Sequence, residues 1–160
     1  MLKYNKGRFE LDYISFAIPD NMYLTTSNEV ELEDGLELFT EDWKIRVTVA
    51  GNDIAESAVE SIESIFDEEV SYRKVGEITE LHKAGLDGCY VVYENDKELH
   101  IEACLDTPDI EDCHTLMVWA RTEKKYGEGE ISRMMQLYTQ VLDSIEVRRY
   151  IWLSDKRVKT

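Results

Sequence analysis

Several features that are common in other protein classes are scarce in this chain of 160 residues. It has only two prolines, Pro19 and Pro108, so no proline-rich linker divides it. Its three cysteines, Cys89, Cys104 and Cys113, form no C-x-x-C motif. An odd number of cysteines fits reduced thiols in the cytoplasm better than a disulfide framework. The N-terminal segment has no apolar region of the kind found in signal peptides, and no apolar run approaches the ~18 residues of a transmembrane helix.

Positive charge is also scarce. The chain has 34 Asp and Glu residues against 18 Lys and Arg, with a formal net charge of −16. Nucleic-acid binding depends on clusters of Lys and Arg, and the sequence shows one such cluster near its end: Arg148, Arg149, Lys156, Arg157 and Lys159. We therefore expect no nucleic-acid partner, and the same repulsion argues against anionic membrane surfaces. A basic protein partner or a cation is compatible with this charge.

The short motifs that carry common chemistries are missing as well. We find no phosphate-binding G-x-x-x-x-G-K, no dinucleotide-binding G-x-G-x-x-G, no H-E-x-x-H, no G-x-S-x-G and no EF-hand loop. We therefore expect a protein that is not an enzyme, with no catalytic residues, no bound metal and no cofactor.

What the chain does contain is a regular alternation of apolar and polar residues. In Lys44–Val49, residues Ile45, Val47 and Val49 fall on one face, which predicts a half-buried strand. Apolar residues then recur at helical spacing over roughly Ile54–Asp67, with Asn52 or Asp53 as candidate caps, which predicts an amphipathic helix. Further short strands are predicted before this helix, at Phe9–Asp12, Ile14–Ile18, Val30–Glu33 and Leu36–Phe39.

The second half of the chain continues this pattern. Four extended stretches follow one another, at about Ser71–Leu81, Leu86–Glu94, Glu98–Asp106 and Thr115–Thr122. Their short links favour an antiparallel meander, because parallel strands need long crossovers. Apolar residues between Ile131 and Ile145 then recur at helical spacing. We therefore predict an α+β fold, an antiparallel sheet of about six to eight strands packed by two main helices, in one domain over 1–147 with a basic tail over 148–160.

Four segments of the chain occur in an order that is similar to a known family. They are YISFAIPD, DWKIRVTVAGNDIAESAVESI, AGLDGCYVVYE and VLDSIEV. Together they resemble the Mog1/PsbP-like fold, including the bacterial DUF1795/DcrB-type proteins, over about Phe9 to Val147. The resemblance implies an α/β sandwich and a non-enzymatic accessory role, such as binding a small GTPase, assisting a photosystem's metal cluster or chaperoning secreted effectors. It implies no catalytic residue.

The first predicted helix carries the most unusual charge pattern. Between Asp53 and Glu69 there are seven acidic residues and no basic one. Like charges at i, i+4 destabilise a helix by a few tenths of a kcal/mol each, so local stability does not select this arrangement. We predict an electronegative surface that binds a basic protein segment, and the alternative is that the charge only maintains solubility. The predicted stripe consists of Glu56, Glu60, Glu63 and Asp67.

A second candidate lies on the predicted strand Glu98–Asp106. Period-2 alternation places His100, Glu102 and Cys104 on one face, and these side chains are all able to bind zinc. Successive residues on one face of a strand lie about 7 Å apart, however, which is too far for all three to meet one ion. We therefore favour a polar sheet face. A cysteine–histidine nucleophile pair has no third group to orient it.

Other arrangements are also compatible with the sequence. The loop from Asp106 to Asp112 holds four carboxylates that could take Ca²⁺ weakly, although it lacks the glycine and final glutamate of an EF-hand. The segment Glu29–Asp42 adds seven acidic residues and no basic one. We thus expect an adaptor or chaperone-like protein-binding module. The alternative is a small-molecule or cation-binding module with a pocket between sheet and helix, and basic tails could join two acidic copies as a homodimer.

Overall fold

The computed structural model describes residues 2–4, 7–10, 14–26, 35–52, 55–68, 71–107, 114–147, 150–153 and 156–159. The strands in chain order are β1 Leu2–Tyr4, β2 Arg8–Glu10, β3 Ile14–Ala17, β4 Met22–Thr26, β5 Leu36–Thr40, β6 Ile45–Asn52, β7 Arg73–Lys74, β8 Thr79–Lys83, β9 Leu86–Glu94, β10 Glu98–Asp106, β11 Thr115–Glu123, β12 Glu146–Val147, β13 Tyr150–Leu153 and β14 Lys156–Lys159. The helices are α1 Ala58–Glu68 and α2 Glu128–Ser144, and a 3₁₀ turn at Lys124–Tyr126 precedes α2.

One large antiparallel sheet dominates the described part of the chain. Its strand order is β1-β4-β5-β6-β11-β10-β9-β7, and β8 also pairs with β9 beside β7. The run from β8 to β11 is the predicted meander, in which each strand pairs with the next. The predicted α+β fold, with antiparallel strands and two main helices, is confirmed. The predicted strand Val30–Glu33 lies outside the described residues.

The chain crosses the sheet once through α1. Strand β6 lies in the middle of the sheet and β7 at its edge, so α1 spans β11, β10 and β9 between them. The helix begins at Ala58, later than the predicted Ile54, because Ser57 caps it: the Ser57 hydroxyl accepts the Glu60 N–H at 3.2 Å. The Ala58 N–H donates to the Asp106 carboxylate at 2.7 Å, which ties this end of α1 to the end of β10.

The second helix lies on the opposite face of the sheet. Buried residues of α2, including Met134 and Tyr138, pack with apolar residues of β6, β10 and β11 in the larger core. The Tyr138 hydroxyl donates to the Val118 carbonyl at 3.0 Å. A three-stranded sheet of β12, β3 and β2 adds Ile14 and Phe16 to this core. Within the described residues, neither helix is long and apolar enough to cross a membrane.

Strand β10 is covered on both faces. Alternate residues Ile101, Ala103 and Leu105 join the core under α2. The residues between them point to the other face, where α1 packs with Cys89, Val91 and Tyr93 of β9 in a smaller cluster. Polar side chains on that face of β10 are therefore buried, and this position decides their chemistry.

The end of the chain forms a separate pair of strands. Strands β13 and β14 pair with each other in an antiparallel two-stranded sheet. The predicted basic tail thus supplies both strands of this pair.

Candidate functional site

The predicted acidic stripe is exposed along the outer side of α1. The opposite side of the helix buries Ala58, Ser61 and Ile62. None of the four acidic residues forms an ion pair with a residue that the structure describes. Spacings of three and four residues place Glu60, Glu63 and Asp67 on one face of α1. The fourth residue, Glu56, lies just before the Ser57 cap.

The charge of this stripe affects the two ends of α1 differently: Glu60 lies in the first turn, where negative charge is favourable, and its carboxylate accepts the Glu56 N–H at 3.2 Å. The last turn of α1 contains no basic residue, and Asp67 and Glu68 lie at the negative end of the helix dipole. Val59 is 49% exposed on the same helix, beside the stripe. The outer side of α1 is therefore a row of carboxylates with one apolar side chain at its edge, and no cation among the described residues pairs with it.

The second predicted set lies beneath α1. His100, Glu102 and Cys104 do share one face of β10, and their exposed fractions are only 0%, 7% and 0%. The Tyr93 hydroxyl donates to the Glu102 carboxylate at 3.4 Å. The Cys104 thiol lies 3.8 Å from the same carboxylate and 3.5 Å from the Ser61 hydroxyl of α1. Glu102 is thus a buried carboxyl with two long contacts.

His100 is held in a stack of aromatic rings. Its ring lies parallel to those of Tyr93 and Trp119, with centroids 4.8 Å and 5.5 Å away. The Trp119 Nε1–H donates to His100 Nδ1 at 2.9 Å, so the ring proton is on Nε2 when His100 is neutral. Nε2 has no hydrogen-bond partner among the residues that the structure describes and lies 3.6 Å from the Glu98 carboxylate. His100 therefore faces Trp119 and Glu98 rather than Cys104.

Burial sets the protonation of this cluster. It raises the pKa of Glu102 to about 7 and lowers the pKa of His100 to about 4, because a charged form is disfavoured away from water. Burial also raises the pKa of Cys89 to about 11 and raises that of Cys104, with the nearby Glu102 as a second cause. These thiols are weak nucleophiles near neutral pH, because the reactive form is the thiolate.

Within the residues that the structure describes, no group of three or more His, Cys, Asp or Glu side chains is arranged to hold a metal ion. Residues 108–113 of the acidic loop suggested as a Ca²⁺ site are outside the described part of the chain. The acidic residues just before Gly35 are also outside it.

A basic surface that the sequence analysis missed lies on the α1 side of the sheet. The register of β6 and β11 places Arg46 directly opposite Arg121, and that of β10 places His100 beside Arg121. Arg46 and Arg121 line a cavity of about 450 Å³ together with Lys44. These three residues are brought together by the fold and are separate from the cluster of basic residues in the tail. The alternation within each strand could be predicted from the sequence. The pairing of β6 with β11 could not, because it joins residues that are far apart in sequence.

No known family model matches this chain. A search of curated proteins finds no match either. The function is therefore argued from the surfaces described above.

Proposed function

We propose that this protein is a non-enzymatic binding module whose α1 face receives a basic segment of a protein partner. The observation that carries the proposal is the exposed row of carboxylates on α1, which has no ion pair among the described residues. A charged surface of one sign attracts partners of the opposite sign and speeds their encounter.

The composition of this face fits a peptide segment better than a single ion. The stripe runs from Glu56 to Asp67, a length of about three helical turns. Exposed Val59 adds an apolar contact beside the charges. Lys and Arg side chains suit such a surface, because their aliphatic stems cover apolar area while their charged ends reach carboxylates.

We also propose that the chain has the Mog1/PsbP-like fold. The order of elements supports this proposal: strands, α1, five successive strands and α2 follow one another. A domain of this kind would act as an adaptor or a chaperone-like protein. We place it in the cytoplasm, with Cys89 and Cys104 as reduced thiols, since both are buried and unpaired.

The alternative of a ligand pocket between sheet and helix has less support. Ala58 and Ile62 of α1 pack directly against Cys89, Val91 and Cys104. These side chains occupy the space between α1 and the sheet. A ligand could enter there only if α1 moved away from β9 and β10.

The decisive experiment is affinity capture from the native lysate with two bait proteins that have equal charge. The test bait carries Glu56→Lys, Glu60→Lys and Glu63→Lys. The control bait carries the same change at three exposed glutamates outside α1: Glu41, Glu77 and Glu128. Each bait changes the net charge from −16 to −10. We expect partners of the wild type to be kept by the control bait and lost by the test bait.

Salt and contact mapping complete the test. Because exposed charge contacts are screened within about 10 Å at 0.1 M salt, the captured partner should dissociate as salt is raised. Hydrogen exchange of the complex should show protection in α1. The proposal is wrong if the test bait retains the partners of the wild type, or if both baits lose them equally.

A further inference from the structure

The cavity lined by residues of β6, β10 and β11 has an excess of positive charge, and its role is independent of the α1 face. We propose that it binds a small oxyanion with two or more negative charges, that is, a phosphate compound or a polycarboxylate. We call it the arginine pocket and define it by Trp43, Lys44, Arg46, Arg121 and Tyr126, which line a cavity of about 450 Å³.

The two arginines are placed where like charges repel. Arg46 and Arg121 are direct cross-strand partners, and the Cβ atoms of such partners lie roughly 5 Å apart. Like charges in this position destabilise a sheet. Arg46 has Glu37 at 4.0 Å and acts electrostatically on Glu123, whereas Arg121 forms no ion pair with a described residue. Fold stability therefore does not explain why Arg121 lies opposite Arg46, whereas an anion bound near both guanidinium groups would.

The neutralisation of these cations by the protein is incomplete. Arg121 and Lys44 form no ion pair with any residue in the described ranges. Arg46 approaches Glu37 only at 4.0 Å.

Two glutamates also line the cavity, and each faces another group. Glu123 pairs with Lys125 at 3.3 Å, and Glu98 lies 3.6 Å from the His100 ring. Counted together with Lys125 and with Glu37 beside Arg46, four cations face three carboxylates, which leaves one excess positive charge at the pocket.

Aromatic rings hold the three cations in place. The Arg121 guanidinium lies 5.0 Å from the Trp119 ring, that of Arg46 lies 5.7 Å from the Trp43 ring, and the Lys44 ammonium lies 5.2 Å from the Tyr126 ring. Such cation–π contacts fix a side chain without using its N–H donors. The planar guanidinium fork then matches two oxygens of a carboxylate or phosphate at once.

One wall of the pocket is a strained turn. Trp43 has φ 60°, which is unusual for a bulky residue and persists only when surrounding contacts impose it. Its N–H donates to the Thr40 carbonyl at 2.8 Å, its ring stacks on Phe39 at 3.9 Å, and Asp42 accepts the Lys44 N–H at 3.2 Å. Trp43 nevertheless remains 38% exposed at the cavity. The turn presents an aromatic ring and Lys44 to the same space.

The size of the cavity indicates the class of ligand. Sites for small molecules are typically about 300–1,000 Å³, and this cavity of about 450 Å³ lies at the small end of that range. A compact molecule with several negative charges fits both its volume and its charge. A nucleic-acid strand would need a longer basic track.

The test is a titration of the full chain with inorganic pyrophosphate and, separately, with citrate. Total ionic strength is held constant with NaCl, and binding is followed by calorimetry and tryptophan fluorescence. The test variants are Arg121→Gln and Arg46→Gln. The control is Arg73→Gln, which removes the same charge from β7, where Arg73 pairs with Glu94 and Asp96 at 3.3 Å. Circular dichroism verifies that every variant is folded.

We expect saturable binding of at least one probe by the wild type and by Arg73→Gln. Loss of one charged, two-point contact should weaken that binding by about tenfold or more in both test variants. Binding of pyrophosphate alone would identify phosphate compounds as the ligands, and binding of citrate alone would identify polycarboxylates. The proposal is overturned if neither probe saturates, or if Arg73→Gln weakens binding as much as Arg121→Gln.

Discussion

Glu102 is the residue whose chemistry depends most on its position in the fold. Its carboxyl group lies under α1 with the Tyr93 hydroxyl at 3.4 Å and the Cys104 thiol at 3.8 Å. Neither contact compensates for the loss of water around a negative charge. Burial therefore raises the pKa of Glu102 to about 7 from a usual value of 4.5. The neighbouring His100 responds in the opposite way, and its pKa falls from 6.5 to about 4.

These two pKa shifts act on stability with opposite signs. Between pH 4.5 and about 7 the folded chain keeps a proton on Glu102 that the unfolded chain releases, so stability falls as pH rises. Between about pH 4 and 6.5 the folded chain keeps His100 neutral while the unfolded chain binds a proton there, so stability rises with pH. The two effects offset one another up to pH 6.5, and beyond it Glu102 acts alone.

The substitution Glu102→Gln isolates one of these effects. Gln has nearly the shape of the protonated acid and cannot ionise. We therefore expect the stability of Glu102→Gln relative to the wild type to rise by about 2 kcal/mol between pH 5.5 and pH 8, given 1.36 kcal/mol per pKa unit. Urea unfolding of both proteins at the two pH values measures this difference. Glu80→Gln on exposed β8 is the control and should show no such change, while a pH-independent difference for Glu102→Gln would contradict the buried-acid interpretation.

At the scale of elements, the contact between β9 and β10 depends on one glycine. Gly88 lies opposite Leu105, and a Cβ placed on it would lie only 2.0 Å from the Cys104 carbonyl oxygen. The backbone of β10 cannot move away easily, because β10 pairs with β9 on one side and β11 on the other. Gly88 is therefore required by close approach of two strands rather than by a turn.

The substitution Gly88→Ala should be severely destabilising. We expect a loss of at least about 3 kcal/mol in the free energy of unfolding, measured in urea, because the methyl group forces two paired strands apart. Gly129→Ala is the matched control. Nothing lies within 4 Å of a Cβ at Gly129 in α2, so alanine there should stabilise by about 0.5–1 kcal/mol. Equal stabilities of the Gly88→Ala variant and the wild type would show that β9 and β10 are farther apart.

Local patterns predicted the elements better than their partners. The alternation in β6 and in the stretches that became β9, β10 and β11 was visible, since a half-buried strand repeats every two residues. The predicted start of α1 was four residues too early. Asn52, Asp53 and Ser57 are all residue types that cap helices, and the structure shows that Ser57 is the one that caps α1. Strand β4 was missed, and periodicity cannot show that β6 pairs with β11.

The two candidate surfaces also differ in how far the sequence could predict them. The acidic stripe belongs to one helix, so spacing alone predicted its four residues. The arginine pocket needs Arg46 and Arg121, which lie on strands joined only through α1 and the whole meander. The sequence also could not predict that His100, Glu102 and Cys104 are buried, because alternation shows which residues share a face of a strand but not what packs against that face.

Over the whole molecule, acidic residues outnumber basic ones, and the effect of a basic residue on stability depends on where it lies. With a net charge of −16, removal of any cation should increase general repulsion and destabilise the fold. Arg121 is an exception by its geometry, because its direct cross-strand partner on β6 is Arg46. For the substitution Arg121→Gln, relief of the local repulsion predicts a more stable fold, whereas the more negative net charge predicts a less stable one.

Comparison of Arg121→Gln with Arg73→Gln decides which effect is larger. Both variants change the net charge from −16 to −17, but the first relieves a repulsion and the second breaks contacts with Glu94 and Asp96. We expect Arg121→Gln to be the more stable of the two by about 0.5–1 kcal/mol in urea at low salt. In 0.5 M NaCl the difference should shrink, because screening weakens exposed charge interactions. Equal losses in both variants would mean that total charge dominates and that the two arginines do not repel.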